Sequence, residues 1–197
     1  MIVIDLETSG TDLVNSGIWQ IGAVDFENPK RIFLEEGHID NKDKVSREAM
    51  TVTGKTEKEI REKNKRSQKQ LLKQFFKWCE KSKIKNYMCE NPQFDVAFLE
   101  TKARKYNLKF PFHYRAFDLH SIAQARILKI SGKILVKKGH SAGFREIIKF
   151  CGMKDERNFH NALEDAKLTA ECFSRIFYGK NMIKEYDHFK IPKYLKN

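Results

Sequence analysis

The chain is poor in cysteine and has no close cysteine pair: Cys79, Cys89, Cys151 and Cys172 stand far apart along 197 residues, with no C-x-x-C spacing. This excludes a disulfide framework and a cysteine-rich zinc site, and it fits reduced thiols that serve as packing residues. Long apolar runs are missing as well. None approaches the roughly 20 residues that a membrane span needs, and Asp5 comes too early for the apolar core of a secretory leader. The chain is therefore expected to be soluble and cytoplasmic, with no membrane partner. No internal repeat, low-complexity tract or linker divides it, so a single domain is expected at this length. Acidic residues are in the minority, 26 against 38 lysines and arginines, for a formal charge of +12. Such an excess attracts polyanions, nucleic acid ahead of an anionic membrane. A membrane-surface role also lacks its usual mark, because the helical stripes have the width a core requires and leave no broad exposed apolar face.

The elements can be read from periodicity. "MIVID" is a β-branched run, and "IWQIGAVDF" and "KRIFLEEG" read as two further strands. In the basic segment 55–85, Leu71, Leu72, Phe75, Phe76 and Cys79 recur at helical spacing, with lysines on a solvated opposite face. "IKNYMCE" predicts a fourth strand, and "NPQFDVAFLETKARKYN" a helix capped by Asn91 with Pro92 at its first position. "YRAFDLH" predicts a fifth strand leading into the helix "SIAQARILKI". A basic, glycine-flanked excursion over residues 129–140 follows, then a short helix ended by Gly152 and a long one from Asn161 to Tyr178. The pattern is that of one α/β domain.

Three places carry candidate chemistry. Asp5 and Glu7 end the first strand and, two residues apart, point to the same side while Leu6 points to the other. Asp95 lies one turn into the helix begun by Asn91, between the anchoring Phe94 and Phe98. Either acid alone reads as turn or helix-end decoration. The third place is "NFHNALEDAKLTA". There Ala162, Leu163, Ala166, Ala170, Phe173 and Phe177 form the expected buried stripe, with Asp165 beside it. On an unbroken helix His160 would lie roughly 140° around the axis from Asp165. Asn161 as cap, with Glu164 three residues on, starts the helix after His160 and leaves the histidine on a loop, where it can turn toward Asp165. Four acids brought together would repel one another and raise their pKa values, so the cluster suits a hard divalent cation, magnesium or manganese. Two such ions about 4 Å apart serve phosphoryl chemistry, and a histidine beside the attacking water is a natural general base. A zinc hydrolase would require a histidine- or cysteine-rich ligand set, which is absent.

In the order "DLET", "NPQFD" and "HNALEDA" the chain resembles the DEDDh exonucleases, the group that includes the DnaQ-like proofreading subunits of bacterial replicative polymerase and RNase T. "SREAMTVTGKTEKEI" and "FDLHSIAQA" are similar to supporting segments of that family. The resemblance covers residues 1–178, the expected exonuclease domain, and leaves residues 179–197 as a basic tail. It implies an RNase H-like fold, a mixed five-stranded sheet flanked by helices, and 3′-to-5′ hydrolysis of single-stranded DNA or RNA to 5′-mononucleotides. Asp5, Glu7, Asp95 and Asp165 would then hold two metal ions, His160 would be the base, and Leu6, Thr8, Asn91 and Phe94 would contact substrate. It further implies single-stranded 3′ ends as partners and a possible polymerase or other nucleic-acid-processing complex. An RNase T-like or oligoribonuclease-like trimmer of RNA would use the same five residues, and a non-catalytic binding domain would have lost one of them. The family usually has histidine where Glu90 stands, and Glu90 faces either solvent or the site. The excursion 129–140 is expected as a loop packed over the sheet edge, against a flap along the substrate path. In the tail, Tyr186, Phe189, Ile191 and Tyr194 either pack back on the domain or offer stacking and docking groups.

Overall fold

In the computed structural model, residues 1–196 are described, and Asn197, the last residue of the expected tail, lies outside them. Three strands open the chain as an antiparallel meander: β1 (Ile2–Thr8), β2 (Ile18–Asp25) and β3 (Asn28–His38). Then come α1 (Arg47–Thr53), α2 (Glu57–Ile60), β4 (Arg66–Ser67), α3 (Gln68–Cys79), β5 (Tyr87–Cys89) and α4 (Pro92–Lys105). They are followed by β6 (Ala116–Asp118), α5 (Leu119–Ser131), the ribbon β7 (Val136–Lys137) and β8 (His140–Ser141), α6 (Phe144–Phe150) and α7 (Ala162–Tyr178). The sheet order is β4-β3-β2-β1-β5-β6, with β5 parallel to β1 and β6 parallel to β5. Among the described residues the sheet has six strands where five were expected. The extra one is Arg66–Ser67, too short to leave a periodic signal, which pairs with Gly37 and His38 at the end of β3.

Alternation along β1 builds a core on each face. Ile2, Ile4 and Leu6 pack with α3 and α4 through Leu71, Phe75, Phe98 and Leu99, while Val3 faces α5, α6 and α7 through Ala123, Ile147, Ala166 and Phe173. Asp5 and Glu7 continue the Val3 side, so the acids emerge where β1 runs out from beneath α7.

Two residues of β2 fix that helix. Gly22 pairs with Asp5 across the β1–β2 ladder, and a Cβ on Gly22 would stand 2.0 Å from the carbonyl carbon of Ala162. Gln20, paired with Glu7, accepts the Ala162 N–H through Oε1 at 2.9 Å. The first turn of α7 is thus pressed onto the strand beside both acids. The four cysteines are buried and unpaired, as packing residues should be. Phe177 departs from the expected stripe: at 36% exposed it lies on the open side of the last turn.

The segment after Tyr178 packs on the α5–α6–α7 face, with Ile183 and Leu195 buried and Met182, Tyr186, Phe189 and Ile191 against them. The excursion 129–140 does not lie on the sheet edge. Residues 129–131 end α5, and the rest runs into the separate β7–β8 ribbon, since its exposed lysines favour solvent over a place against β6.

Candidate active site

Asp5, Leu6, Glu7 and Thr8 at the end of β1 form one wall of a cleft of about 400 Å³, together with Glu90, Asn91, Phe94 and Asp95 from the β5–α4 corner and with α1 and His160 opposite. The cleft sits at the carboxyl end of the parallel β1 and β5 strands, where α/β sheets place their ligands.

Each side chain has a local reason for its position. Asp95 lies in the first turn of α4 and accepts the Leu6 N–H through Oδ1 at 3.1 Å, which ties the helix to β1. Asn91 precedes that helix without capping it: its backbone is left-handed, φ 60°, and its side chain makes no cap bond. The left-handed turn aims the side chain away from the N–H groups it was expected to accept, while Pro92 already removes one of those donors. Asn161 does cap α7, accepting from Leu163 N–H and Glu164 N–H at 3.1 and 3.3 Å. The helix therefore starts after His160, whose N–H donates to Val52 O of α1 at 3.1 Å. Phe159 next to it packs on Gly54, the left-handed C-cap of α1, at a point where a side chain would collide with the ring.

Glu7, His160 and Asp165 each bring a ligand atom to within 4.8 Å of the others. His160 Nδ1 lies 3.3 Å from Asp165 Oδ2, with the histidine side chain 48% exposed and the aspartate 3%. Asp5 and Asp95 line the same cleft. Burial pushes the Glu7 carboxyl up to about 8, with Asp165 and Asp95 adding to the effect and Arg157 opposing it. Asp95 is likewise pushed up to about 8 by burial, against its hydrogen bond from Leu6, with Glu90 and Asp165 contributing. Asp5 is raised well above the carboxylate range by burial and then by Asp165, Asp95 and Glu7. Glu90 faces the cleft, and burial raises it too.

A divalent metal fits these residues. Glu7 Oε1 is buried with no hydrogen-bond partner among the described residues, and a buried carboxylate oxygen left open beside three further acids is the donor chemistry a hard cation takes.

Arg157 was not anticipated from the sequence. It forks onto Asp155, Nε to Oδ1 at 2.8 Å and a second nitrogen to Oδ2 at 2.9 Å, and its other arm bonds Asp165 Oδ1. Asp165 is thus held by Arg157 on one oxygen and faces His160 with the other. The only sequence signal was an arginine three residues before the histidine.

The architecture defines the class: an RNase H-like nuclease fold. Solved structures that share it include E. coli exonuclease I in complex with a 5cy-dT13 oligonucleotide (TM-score 0.71, 17% identity, 87% of this chain and 39% of that one). Cell-death related nuclease 4 gives 0.69 at 16% identity (89% and 62%), and the nuclease domain of 3′hExo, a DEDDh family member bound to rAMP, 0.66 at 15% (98% and 95%). At family level the chain belongs to the RNase T exonucleases, whose model, described as "Exonuclease", matches residues 2–173. Curated relatives are PolC-type DNA polymerase III of Thermotoga petrophila, 28% identical over 176 residues, and of Caldanaerobacter subterraneus, 26% identical over 175. These alignments take in 88% and 89% of this chain but only 12% and 11% of the polymerases.

Proposed function

We propose that the protein hydrolyses single-stranded nucleic acid, DNA in preference to RNA, from the 3′ end, releasing 5′-mononucleotides with two magnesium or manganese ions. The observation that carries this reading is the convergence of Glu7, His160 and Asp165 at the cleft, where Glu7 Oε1 is buried and has no partner among the described residues. Asp5, Glu7, Asp95 and Asp165 would hold the ions, which when bound supply Lewis-acid activation of the attacking water and charge stabilisation of the leaving oxygen. His160 is the general base: Nδ1 faces Asp165, which leaves Nε2 for the proton of the water, and its exposed loop position lets it pass that proton to solvent. Leu6 and Thr8 support the terminal nucleotide, and Phe94 its base or sugar, with Asn91 at the mouth of the cleft. Residues 1–178 form the exonuclease domain and residues 179–197 its basic tail. The polymerase relatives support a DNA substrate and a replication or repair setting.

The test is one assay with matched single-stranded DNA, duplex DNA with mismatched 3′ ends and RNA, each labelled in turn at the 5′ and 3′ end. Stepwise shortening of 5′-labelled single-stranded DNA, stopped by EDTA, is expected. RNA cut faster than DNA would reverse the preference, and release starting from the 5′ end would refute the polarity.

A further inference from the structure

Between Asp118 and Glu146 the chain carries no acidic residue, while Arg126, Lys129, Lys133, Lys137, Lys138 and Arg145 all fall in that stretch. Its centre is the β7–β8 ribbon, where residues 128–141 are exposed with Leu135 half-buried. A two-stranded ribbon open on both faces is marginal by itself. This one is clamped. Gln124, buried on α5, donates Nε2 to Leu135 O at 2.9 Å and accepts Leu135 N–H through Oε1 at 2.9 Å, and Ser131 Oγ donates to Lys133 O at 2.9 Å.

The tip gives a second, independent observation. Lys138 and Gly139 form its two-residue turn with φ of 50° and 80°. Turns of this kind favour Asn-Gly, and a lysine in the left-handed region bears a steric cost that an asparagine largely avoids. Backbone strain held at an exposed tip, on a side chain that packs against nothing in the core, points to use of that side chain.

Ion pairs also link the ribbon to the site. Lys137 pairs with Glu146 on α6, and Arg145 beside it pairs with Asp155, Nε to Oδ2 at 3.2 Å. Asp155 in turn holds the Arg157 that reaches Asp165.

We propose that the β7–β8 ribbon is a second nucleic-acid contact: Lys133, Lys137 and Lys138 grip the phosphate backbone of the strand outside the cleft, so that long strands bind better than short ones. This rests on the reading of the cleft as the end-processing site, because it is that site which threads the rest of the strand past the ribbon. The contact is made to phosphates and carries no base sequence preference.

The test compares binding of oligothymidylates of about 4 and about 16 nucleotides, the span over which single-strand sites extend, to the full chain in EDTA by fluorescence anisotropy. The triple variant Lys133→Glu/Lys137→Glu/Lys138→Glu is expected to reduce the preference for the longer strand at least tenfold. It should also lower the slope of log K against log salt by about 2, because a single strand releases roughly 0.7 counterions per neutralised phosphate. Lys138→Asn, which suits the turn, keeps the ribbon folded and is expected to weaken the longer strand alone, by roughly threefold at low salt. Unchanged length preference and salt slope in the triple variant, with its melting temperature intact, overturn the proposal, and so does loss of preference in the triple variant at an unaltered salt slope. Hydrolysis of the p-nitrophenyl ester of thymidine 5′-monophosphate by the wild-type chain is measured alongside. Failure there, in both magnesium and manganese, overturns the reading of the cleft, while the binding comparison still decides on the ribbon.

Discussion

The two ends of α7 both bury charge, and they do so in opposite ways. Near its C-terminus Glu171 and Arg175 are wholly buried and wholly paired. Glu171 accepts Arg175 Nε at 2.7 Å and the N–H groups of Met182 and Ile183 at 2.8 Å each, while Arg175 donates to the carbonyls of Cys151, Tyr186 and Phe189 at 3.0 to 3.2 Å. Each nitrogen of Arg175 and each carboxylate oxygen of Glu171 finds a protein partner, and the result is architecture: this pair holds residues 179–196 against α6 and α7. At the N-terminus, Asp165 joins Asp5, Glu7 and Asp95 with Arg157 as the cation bonded within the group, and Glu7 Oε1 is left open. A buried set with its charges matched is a structural fastening, whereas one with acids in excess is unfinished until a cation arrives.

That contrast can be broken or sharpened by substitution. The largest effect is expected at the open end, where His160→Ala should lower mononucleotide release about 10²- to 10⁴-fold, the range a general base contributes, with the melting temperature almost unmoved because the side chain is half exposed. Wild-type rates in this variant would remove His160 from its role. Asp5→Asn should abolish release as well, yet hold or raise the metal-free melting temperature, since a neutral amide replaces an acid whose ionisation burial and its acidic neighbours oppose. At the closed end the order reverses. Arg175→Ala strands a buried carboxylate and should cost about 3–5 kcal/mol, a fall of roughly 10 °C by calorimetry in a chain of this size, while any enzyme that remains folded keeps its rate per molecule.

A smaller effect should follow pH. Glu7 and Asp95 are raised in the folded state to about 8 from ordinary values of 4.5 and 3.8, so the folded chain holds protons that the unfolded chain releases. The stability these groups contribute is complete below about pH 4 and is lost as pH rises toward 8. In EDTA the melting temperature is expected to fall by several degrees between pH 5 and 8, and saturating magnesium should flatten that slope. A metal-free melting temperature that climbs across this window would contradict the assignment of the raised pKa values. Smallest is Arg157→Met. Loss of the guanidinium should lower the metal-free melting temperature by a few degrees and enlarge the gain on adding magnesium, because Asp165 Oδ1 is then open as well. An identical gain in variant and wild type would show that Arg157 and metal do not compete.

Much of this was legible in the sequence because it is local. The β1 acids follow from strand alternation, and the place of His160 outside α7 follows from Asn161 as cap. The RNase H-like fold followed from resemblance. What was not legible depends on distant partners. Gln20 and Gly22 look like ordinary strand residues until Ala162 is seen against them. Glu171 and Arg175 sit four apart on a helix as any solvated ion pair would, and only the returning tail buries them. Arg157 lies on a loop with no periodicity to read, and Asn91 carried a cap's identity in a backbone that prevents capping. The excursion 129–140 was expected as a loop packed over the sheet edge, whereas its Ile134 and Val136 are 53% and 52% exposed.

The claim that the N-terminal end of α7 closes an unfinished charge cluster is tested most directly by calorimetric titration of manganese into metal-stripped protein at pH 7.5, repeated in buffers of different ionisation enthalpy. Binding accompanied by proton release, seen as a heat that changes with the buffer and absent in Asp165→Asn, is the predicted result, because Glu7 and Asp95 must surrender protons to receive the cation. No binding, or binding whose heat is the same in every buffer, would contradict it.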